Sequence, residues 1–560
     1  MKCIVHCFIQ RNLISALGVD MISLLFQNYC ASIFLLAFVL TTQIAHAQTA
    51  PAEGIRKNTP AMHALTNARI VQSPGKVIEK GTLVIRDGVI QTVGANATVP
   101  HDARVWDMKG MTIYPGLIDS YSDYGVPKQP ERQPGQQMEQ PLQRAPEQRG
   151  PAYWNKNVLA HQNAADLFVP DAKAAEKLRG QGVTSALIVP TRGIFKGTSA
   201  LVNLGDGKPN ELVVRSKVAQ HIVLGVPQWS EDYPQSLMGA IALIRQVLLD
   251  ADWYQKAQDA YAKNHSLTRP ETNEMLAALK DVVIHGKSVV LEAADELDVL
   301  RAEKIAQEFS LTLIVRGNGS EYKRLDAIKG TQRPIILPIN FPEVPTVQTQ
   351  EDALQVTLDQ LRHWDEAPEN PKRLQEAGVQ FAFTSATLKD PGTFLAQVRK
   401  AVERGLPSDA ALAALTTVPA RMFGVGKQLG SLEPGKTANF IIADGELFVE
   451  KTVLRESWID GKRYEIKPLL ENDPRGKWDV KLTGMSPADT VTLNIKGEVD
   501  AVQGSLTKKK EAKLSTGSFS ASRLSISFTG DSIGYPGVVR MTAVVVPAAM
   551  NGSGEWSDGK

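Results

Sequence analysis

The sequence predicts an α/β protein built on a parallel strand–helix barrel, with β segments on both flanks and a further β region behind it. Three observations carry this. Short apolar runs alternate with helix-patterned stretches over roughly 300 residues, as repeated βα units require. Short strand signals separated by turns precede and follow that stretch. From Trp478 onward the pattern changes to a two-residue alternation, the mark of half-buried strands.

Taken in chain order, the first segment reads as an export signal. Ala31–Leu40 is an uncharged apolar core, polar residues follow, and Ala45-His46-Ala47 is an A-x-A cleavage site. Residues 1–47 are therefore expected to be removed, leaving Gln48 as the first residue of a periplasmic or secreted protein. An uncleaved anchor of about 20 residues from Met21 is the alternative, and the true start is Met1 or Met21. Cys3, Cys7 and Cys30 all fall in this segment. The mature chain is thus expected to have no disulfide, no thiolate ligand and no cysteine nucleophile.

From His63 to Ile113 the pattern is β, with strands at Ala68–Val71 and Thr82–Ile90 and a hairpin turn at Asp87-Gly88. In the centre, apolar runs at Val183–Val189, Val289–Ala293, Leu311–Val315, Pro334–Ile339 and Val379–Phe383 read as buried strands. Ala172–Arg179, Asp295–Phe309, Gly392–Arg404 and Ser408–Thr416 read as helices. Lys128–Pro151, rich in Gln, Pro, Glu and Arg, reads as a flexible insertion at the barrel mouth. Leu429–Gly445 returns to strands. Beyond Trp478, Thr490–Ile495, Leu524–Phe528 and Val538–Val546 alternate, with Lys508-Lys509-Lys510 as a solvated hairpin tip and no closing element in Gly554–Lys560. At 560 residues, two or three domains are expected. A formal net charge of +2 gives no electrostatic footprint for nucleic acid.

Tyr114-Pro115-Gly116-Leu117-Ile118-Asp119-Ser120-Tyr121-Ser122-Asp123 resembles the signature turn of the amidohydrolase superfamily, PGLID followed by His-x-His. Ala411-Leu412-Ala413-Ala414-Leu415-Thr416-Thr417-Val418-Pro419-Ala420-Arg421-Met422-Phe423-Gly424 resembles the family's helix near the barrel's end, and Gly430–Asn439 the stretch behind it. The resemblance covers roughly His63 to Ile466 and is to imidazolonepropionase-like amidohydrolases. Gly182-Val183-Thr184 and Pro338-Ile339-Asn340-Phe341-Pro342 are similar to the exported branch, which includes tandem proteins; this chain resembles their N-terminal half. The resemblance implies a (β/α)8 TIM-type barrel over residues 115–427. It implies a composite β-sandwich from residues 48–114 and 428–466, while the alternating strands behind it read as an extra C-terminal β domain over residues 475–560.

The activity implied is hydrolysis of C–N bonds other than peptide bonds. The metal implied for the family is Zn²⁺ or a similar divalent ion. Its ligands are His-x-His after strand one, a histidine each from strands five and six, and an aspartate after strand eight. The matching positions here hold Tyr121 and Asp123, Glu292, Gly317 (Asn318 with a one-residue shift) and Ser385. No cofactor, metal ligand or catalytic residue is therefore assigned to this chain.

The other histidines of the mature chain, His63, His101, His161, His221, His265, His285 and His363, show no H-x-H or H-x₃-H spacing and read as ordinary polar or packed residues. Asp119, Asp123 and Glu292 remain as carboxylates near the mouth, able in principle to hold Mg²⁺, Ca²⁺ or Mn²⁺. Asp123 and Glu292 could also form a metal-free acid/base pair. Asp119 reads as structural, and Ser385 lacks a base and an oxyanion hole. Gly197 reads as a turn. The expected function is that of a degenerate subunit partnering a metal-competent amidohydrolase chain, and an end at Lys560 fits a partner encoded separately or a tandem protein cut short. The alternatives are an active hydrolase with a rebuilt carboxylate or metal site, and a periplasmic module binding a small-molecule ligand. No membrane contact is expected after signal cleavage.

Overall fold

The Asp87-Gly88 turn opens the described fold as a tight hairpin: both residues take positive φ, 50° and 79°, and Arg86 faces Val89 across it. In the computed structural model, residues 62–127, 152–226, 233–468, 472–482, 489–497, 502–520, 522–546 and 549–556 are described. The export segment and the Lys128–Pro151 insertion lie outside them. The chain is mixed α/β.

Strands β1 (Met62–Ser73), β2 (Lys76–Arg86), β3 (Val89–Gly94), β4 (Arg104–Asp107) and β5 (Thr112–Pro115) come from the first flank. They join β16 (Phe440–Ala443), β17 (Leu454–Ile459) and β18 (Lys462–Glu465) from the second in one eight-stranded sheet. The seam between the flanks is antiparallel, with Thr112 opposite Ala443 and Pro115 opposite Phe440. Trp458 is fully buried there; it stacks on Phe440 at 5.3 Å within the second flank and meets Trp106 of the first edge-on at 6.0 Å.

The centre holds β6 (Leu117–Ser122), β7 (Val183–Ile188), β8 (Phe195–Thr198), β9 (Ala200–Asn203), β10 (Val213–Arg215), β11 (Gln220–Val223), β12 (Val289–Glu292), β13 (Leu313–Arg316), β14 (Ile335–Pro338) and β15 (Phe381–Thr384). One sheet runs β10-β9-β7-β6 and the other β15-β14-β13-β12-β11-β8. β11 to β15 run parallel to one another, and so do β6 and β7. β8 and β9 follow one another through Ser199 and connect the two sheets. β15 lies beside β6, where the Thr384 hydroxyl donates to the Tyr121 carbonyl at 2.6 Å.

Two expectations need correction here. Lys196-Gly197 is not a turn but part of β8, and β8 and β9 run antiparallel to β11 and β7. The connection from β7 to its partner β9, residues 189–199, holds β8 and no helix, so it lacks the helical crossover that a parallel return uses and β9 comes back antiparallel. Gly197 is required because a Cβ would sit 2.4 Å from the Gln162 carbonyl.

The helices form where capping and periodicity agree. Asp171 caps Ala172–Arg179 and Asp295 caps Glu296–Phe309 through side-chain bonds to two backbone amides each. Among the described residues, no helix is long and apolar enough to cross a membrane.

The last region is an antiparallel meander: β19 (Gly476–Leu482), β20 (Asp489–Gly497), β21 (Val502–Thr507), β22 (Glu511–Ser520), β23 (Arg523–Thr529), β24 (Val538–Val546) and β25 (Ala549–Trp556). Lys508–Lys510 is the tip between β21 and β22. β25 is a correction: residues expected to lack a closing element pair with β24 from Val546↔Ala549 to Val539↔Trp556. Its glycines hide it from propensity, yet a Cβ on Gly552 would meet the Thr542 carbonyl at 2.2 Å, so pairing selects the small residue.

Candidate functional site

The parallel strands β6, β12, β13 and β15 end at one mouth, and each ends on a residue unlike its apolar body. Val290 and Glu292 share a strand face by two-residue alternation, as do Ile314 and Arg316. Ile118, Leu187, Leu201, Val290, Ile314 and Ile336 pack into an apolar floor. Above that floor stand Tyr121, Lys196, His221, Glu292 and Arg316.

Glu292 is 6% exposed and sits at the centre. Its Oε1 accepts from the Tyr121 hydroxyl at 2.7 Å, and Lys196 Nζ donates to both its oxygens at 2.8 and 2.9 Å. Lys196 also donates to the Tyr121 hydroxyl at 3.0 Å. Arg316 Nη1 stands 3.7 Å from Glu292 Oε2, and its guanidinium lies 4.9 Å over the Tyr121 ring. His221 is fully buried, with Nδ1 4.0 Å from Glu292 Oε1 and no hydrogen-bond partner on either ring nitrogen among the described residues.

Burial alone would raise the Glu292 pKa, but the charges of Lys196 and Arg316 hold it below the usual carboxylate value. Burial opposes charge on Lys196 too, and Glu292 outweighs it, raising the ammonium pKa. Burial, chiefly, pushes the His221 pKa down to about 3 and the Tyr121 pKa up to about 12. At neutral pH the centre therefore holds two cations, one carboxylate, and neutral tyrosine and histidine.

Ser385 lies past the end of β15. Its amide donates to Asp119 Oδ1 at 3.0 Å and its hydroxyl donates to Asp119 Oδ2. Asp119 is fully buried, which raises its pKa. The pair ties β15 to β6 and leaves the serine proton committed to a carboxylate.

Asp123 lies just past β6 and is exposed. Glu292 takes its partners from Tyr121, Lys196 and Arg316. Gly317 follows β13 with an ordinary φ. Its constraint is space, since a Cβ would meet Glu321 Oε1 at 1.9 Å. Glu321 is fully buried and accepts from the amides of Asn318 and Gly319 at 2.9 and 3.2 Å and from Asn370 Nδ2 at 2.6 Å.

A divalent metal does not fit this donor set. Among the described residues no three His, Cys, Asp or Glu side chains converge. Both Glu292 oxygens are already met by an ammonium, and a guanidinium stands alongside. Cations there would repel another cation in a medium of low dielectric.

Lys196, His221 and Arg316 escape a motif-based reading because none stands at a signature position. The legible signal is a lone cation in an apolar run, Ile194-Phe195-Lys196 and Leu313-Ile314-Val315-Arg316. Charged residues are almost never buried unless paired.

Residues 365–496 match the Amidohydrolase family. The amidohydrolase tasK of Hapsidospora irregularis is 22% identical over 424 residues, covering 71% of this chain and 41% of that protein. The chain thus spans about two fifths of that relative's length. Imidazolonepropionase of Deinococcus radiodurans is 24% identical over 388 residues, covering 66% of this chain and 87% of that one. An amidohydrolase structure from Thermotoga maritima superposes with a TM-score of 0.58 at 22% identity, covering 72% of this chain and 99% of that chain, which is a likeness of fold. The chain is thus similar to amidohydrolases, and to an imidazolonepropionase among them, over about two thirds of its length.

Proposed function

We propose that this chain is a degenerate amidohydrolase: a subunit with little metal-dependent hydrolysis of its own, which partners a metal-competent amidohydrolase chain. The observation that carries this is the Lys196 ammonium within 2.9 Å of both Glu292 oxygens. Family chemistry depends on an ion that lowers the pKa of bound water toward about 7. An ammonium supplies positive charge but no coordination position for water. The partner half of the reading draws support from tasK, of whose length the matched region is 41%. A (β/α)8-type barrel over residues 115–427 is supported by the strand that crosses between sheets at Ser199 and by the β6–β15 contact. The composite flanks, residues 48–114 and 428–466, and a β domain over residues 475–560 complete the proposed division. Export with cleavage after Ala47 belongs to the same reading, and N-terminal sequencing of a periplasmic fraction checks it.

The test is turnover of a panel of acyl-amino-acid and cyclic-amide substrates by the purified chain, with and without Zn²⁺ or Mn²⁺, beside metal analysis. Negligible turnover and substoichiometric metal are expected. Turnover abolished by chelator and by Glu292→Ala would overturn the proposal and promote a rebuilt carboxylate–metal site. Co-purification with a metal-bearing amidohydrolase chain is the expected outcome for the partner role; a chain that stays alone in its native extract removes that half.

A further inference from the structure

We infer that the mouth is a receptor for a small oxyanion, held by the Arg316 guanidinium with Lys196 behind it. This rests on the degenerate reading and names the class of ligand that reading leaves open.

The first argument is charge. Lys196 and Arg316 carry two positive charges, and Glu292 is the one carboxylate within ion-pair distance of either among the described residues. One positive charge is left over in a place where these three side chains are only 11%, 16% and 7% exposed. A charge withdrawn from water without a partner is costly, so the centre is improved by one more anion.

The second is hydrogen bonding. Lys196 is saturated by Tyr121 and both Glu292 oxygens. Arg316 is not. Its contact with Glu292, at 3.7 Å, is beyond hydrogen-bond reach. Its Nε is buried without a partner among the described residues. A planar fork of donors that the described residues leave open matches the paired oxygens of a carboxylate or phosphate.

The third is rigidity and access. The guanidinium carbon lies 4.9 Å over the Tyr121 ring, a cation–π contact that holds it at the mouth. Tyr121 is itself pinned by Glu292 and Lys196. The part of Arg316 that remains exposed gives a ligand its approach. His221, with two ring nitrogens unpartnered among the described residues, adds a neutral donor or acceptor in the same layer.

Isothermal titration of the full chain at low salt, with N-acetylalanine and with inorganic phosphate as probes, tests this. Saturable binding of at least one is expected, and a preference between them assigns a carboxylic acid or a phosphate ester. Arg316→Gln should weaken binding on the order of tenfold or more, which is about 1.4 kcal/mol. Arg316→Lys, which keeps the charge and loses the fork, should fall between. Lys329→Gln, on an exposed helix face, should bind as the native chain does. A ligand-dependent rise in Tm of the native chain, absent in Arg316→Gln, gives a readout independent of calorimetry. Neither probe binding, or Arg316→Gln binding like the native chain, overturns the receptor. If anions fail to bind and chelator-sensitive turnover is also absent, the receptor falls alone. Chelator-sensitive turnover sinks the degenerate reading itself.

Discussion

Two glutamates are buried at the same end of the central strands, and they are satisfied in opposite ways. Glu292 closes β12 and is met by an ammonium, a phenol and a guanidinium. Glu321, in the turn after β13, is met by two backbone amides and the Asn370 side chain. Cations hold the first below the usual carboxylate range, whereas burial among neutral donors raises the second. The first arrangement concentrates charge at an accessible mouth; the second fixes a loop and leaves no net charge unless the carboxyl ionises. Burial of a carboxylate alone thus says little about function, and the sign of its partners says more.

The largest expected effect comes from breaking the charged arrangement. Lys196→Met leaves Glu292 buried without its main partner and should cost about 3–5 kcal/mol of unfolding free energy. Lys196→Met with Glu292→Gln should recover most of that, because the uncompensated charge is gone. Urea denaturation of the two variants checks it, and a single variant within about 1 kcal/mol of the native chain would mean the pair is solvated rather than buried.

Gly317→Ala attacks the neutral arrangement. The added Cβ collides with Glu321 Oε1, which two backbone amides hold in place, so retreat is expensive. The expected loss is about 2 kcal/mol, as for other overpacked sites. The same collision makes Gly317→His the weak step in any attempt to rebuild a metal site. A Gly317→Ala melting curve matching the native one would show that the turn can yield.

Tyr121→Phe removes a hydroxyl that donates to Glu292 and accepts from Lys196. A direct ion pair remains, so the cost should be nearer about 1.5 kcal/mol. The phenyl ring still lies under Arg316, so oxyanion binding should persist. Loss of binding in this variant would show that the hydroxyl, and not the ring alone, positions the guanidinium.

The sequence reveals this comparison unevenly. Strands β12 to β15 are legible because buried parallel strands are continuous apolar runs, and the PGLID turn and residues 411–424, which fold as two helices broken at Thr416, carry the resemblance to amidohydrolases. Glu292, Tyr121 and Ser385 are locatable because signature positions identify them. Their partners are not: Lys196 and Arg316 meet Glu292 only after four strands, β8, β11, β12 and β13, are laid side by side, and that adjacency has no local signal. The return of β9 is likewise a property of a connection without a helix rather than of strand pattern. β25 is invisible for a third reason, since its glycines are selected by a neighbouring strand's carbonyls.

The finest test separates the two glutamates by pH. Glu292 has a lowered folded pKa against an ordinary value of 4.5, so its contribution is present above 4.5 and lost as pH falls through the folded value. Glu321 has a raised folded pKa, so its contribution is complete below 4.5 and lost as pH rises toward that value. His221, lowered from 6.5 to about 3, adds a loss of stability on acidification between those values, and Asp119, raised from 3.8, adds one on the alkaline side. Absolute curves mix these with further shifted groups, His63, His363 and Asp460 among them, and the informative quantity is the difference between each variant and the native chain. Glu292→Gln should flatten the acid limb below 4.5 and leave the slope above it unchanged. Glu321→Gln should flatten the decline above 4.5 and leave the acid limb alone. Chemical denaturation at stepped pH measures both slopes. If Glu321→Gln instead flattens the acid limb, Glu321 is ionised and paired in the folded state, and the contrast between the two carboxylates disappears.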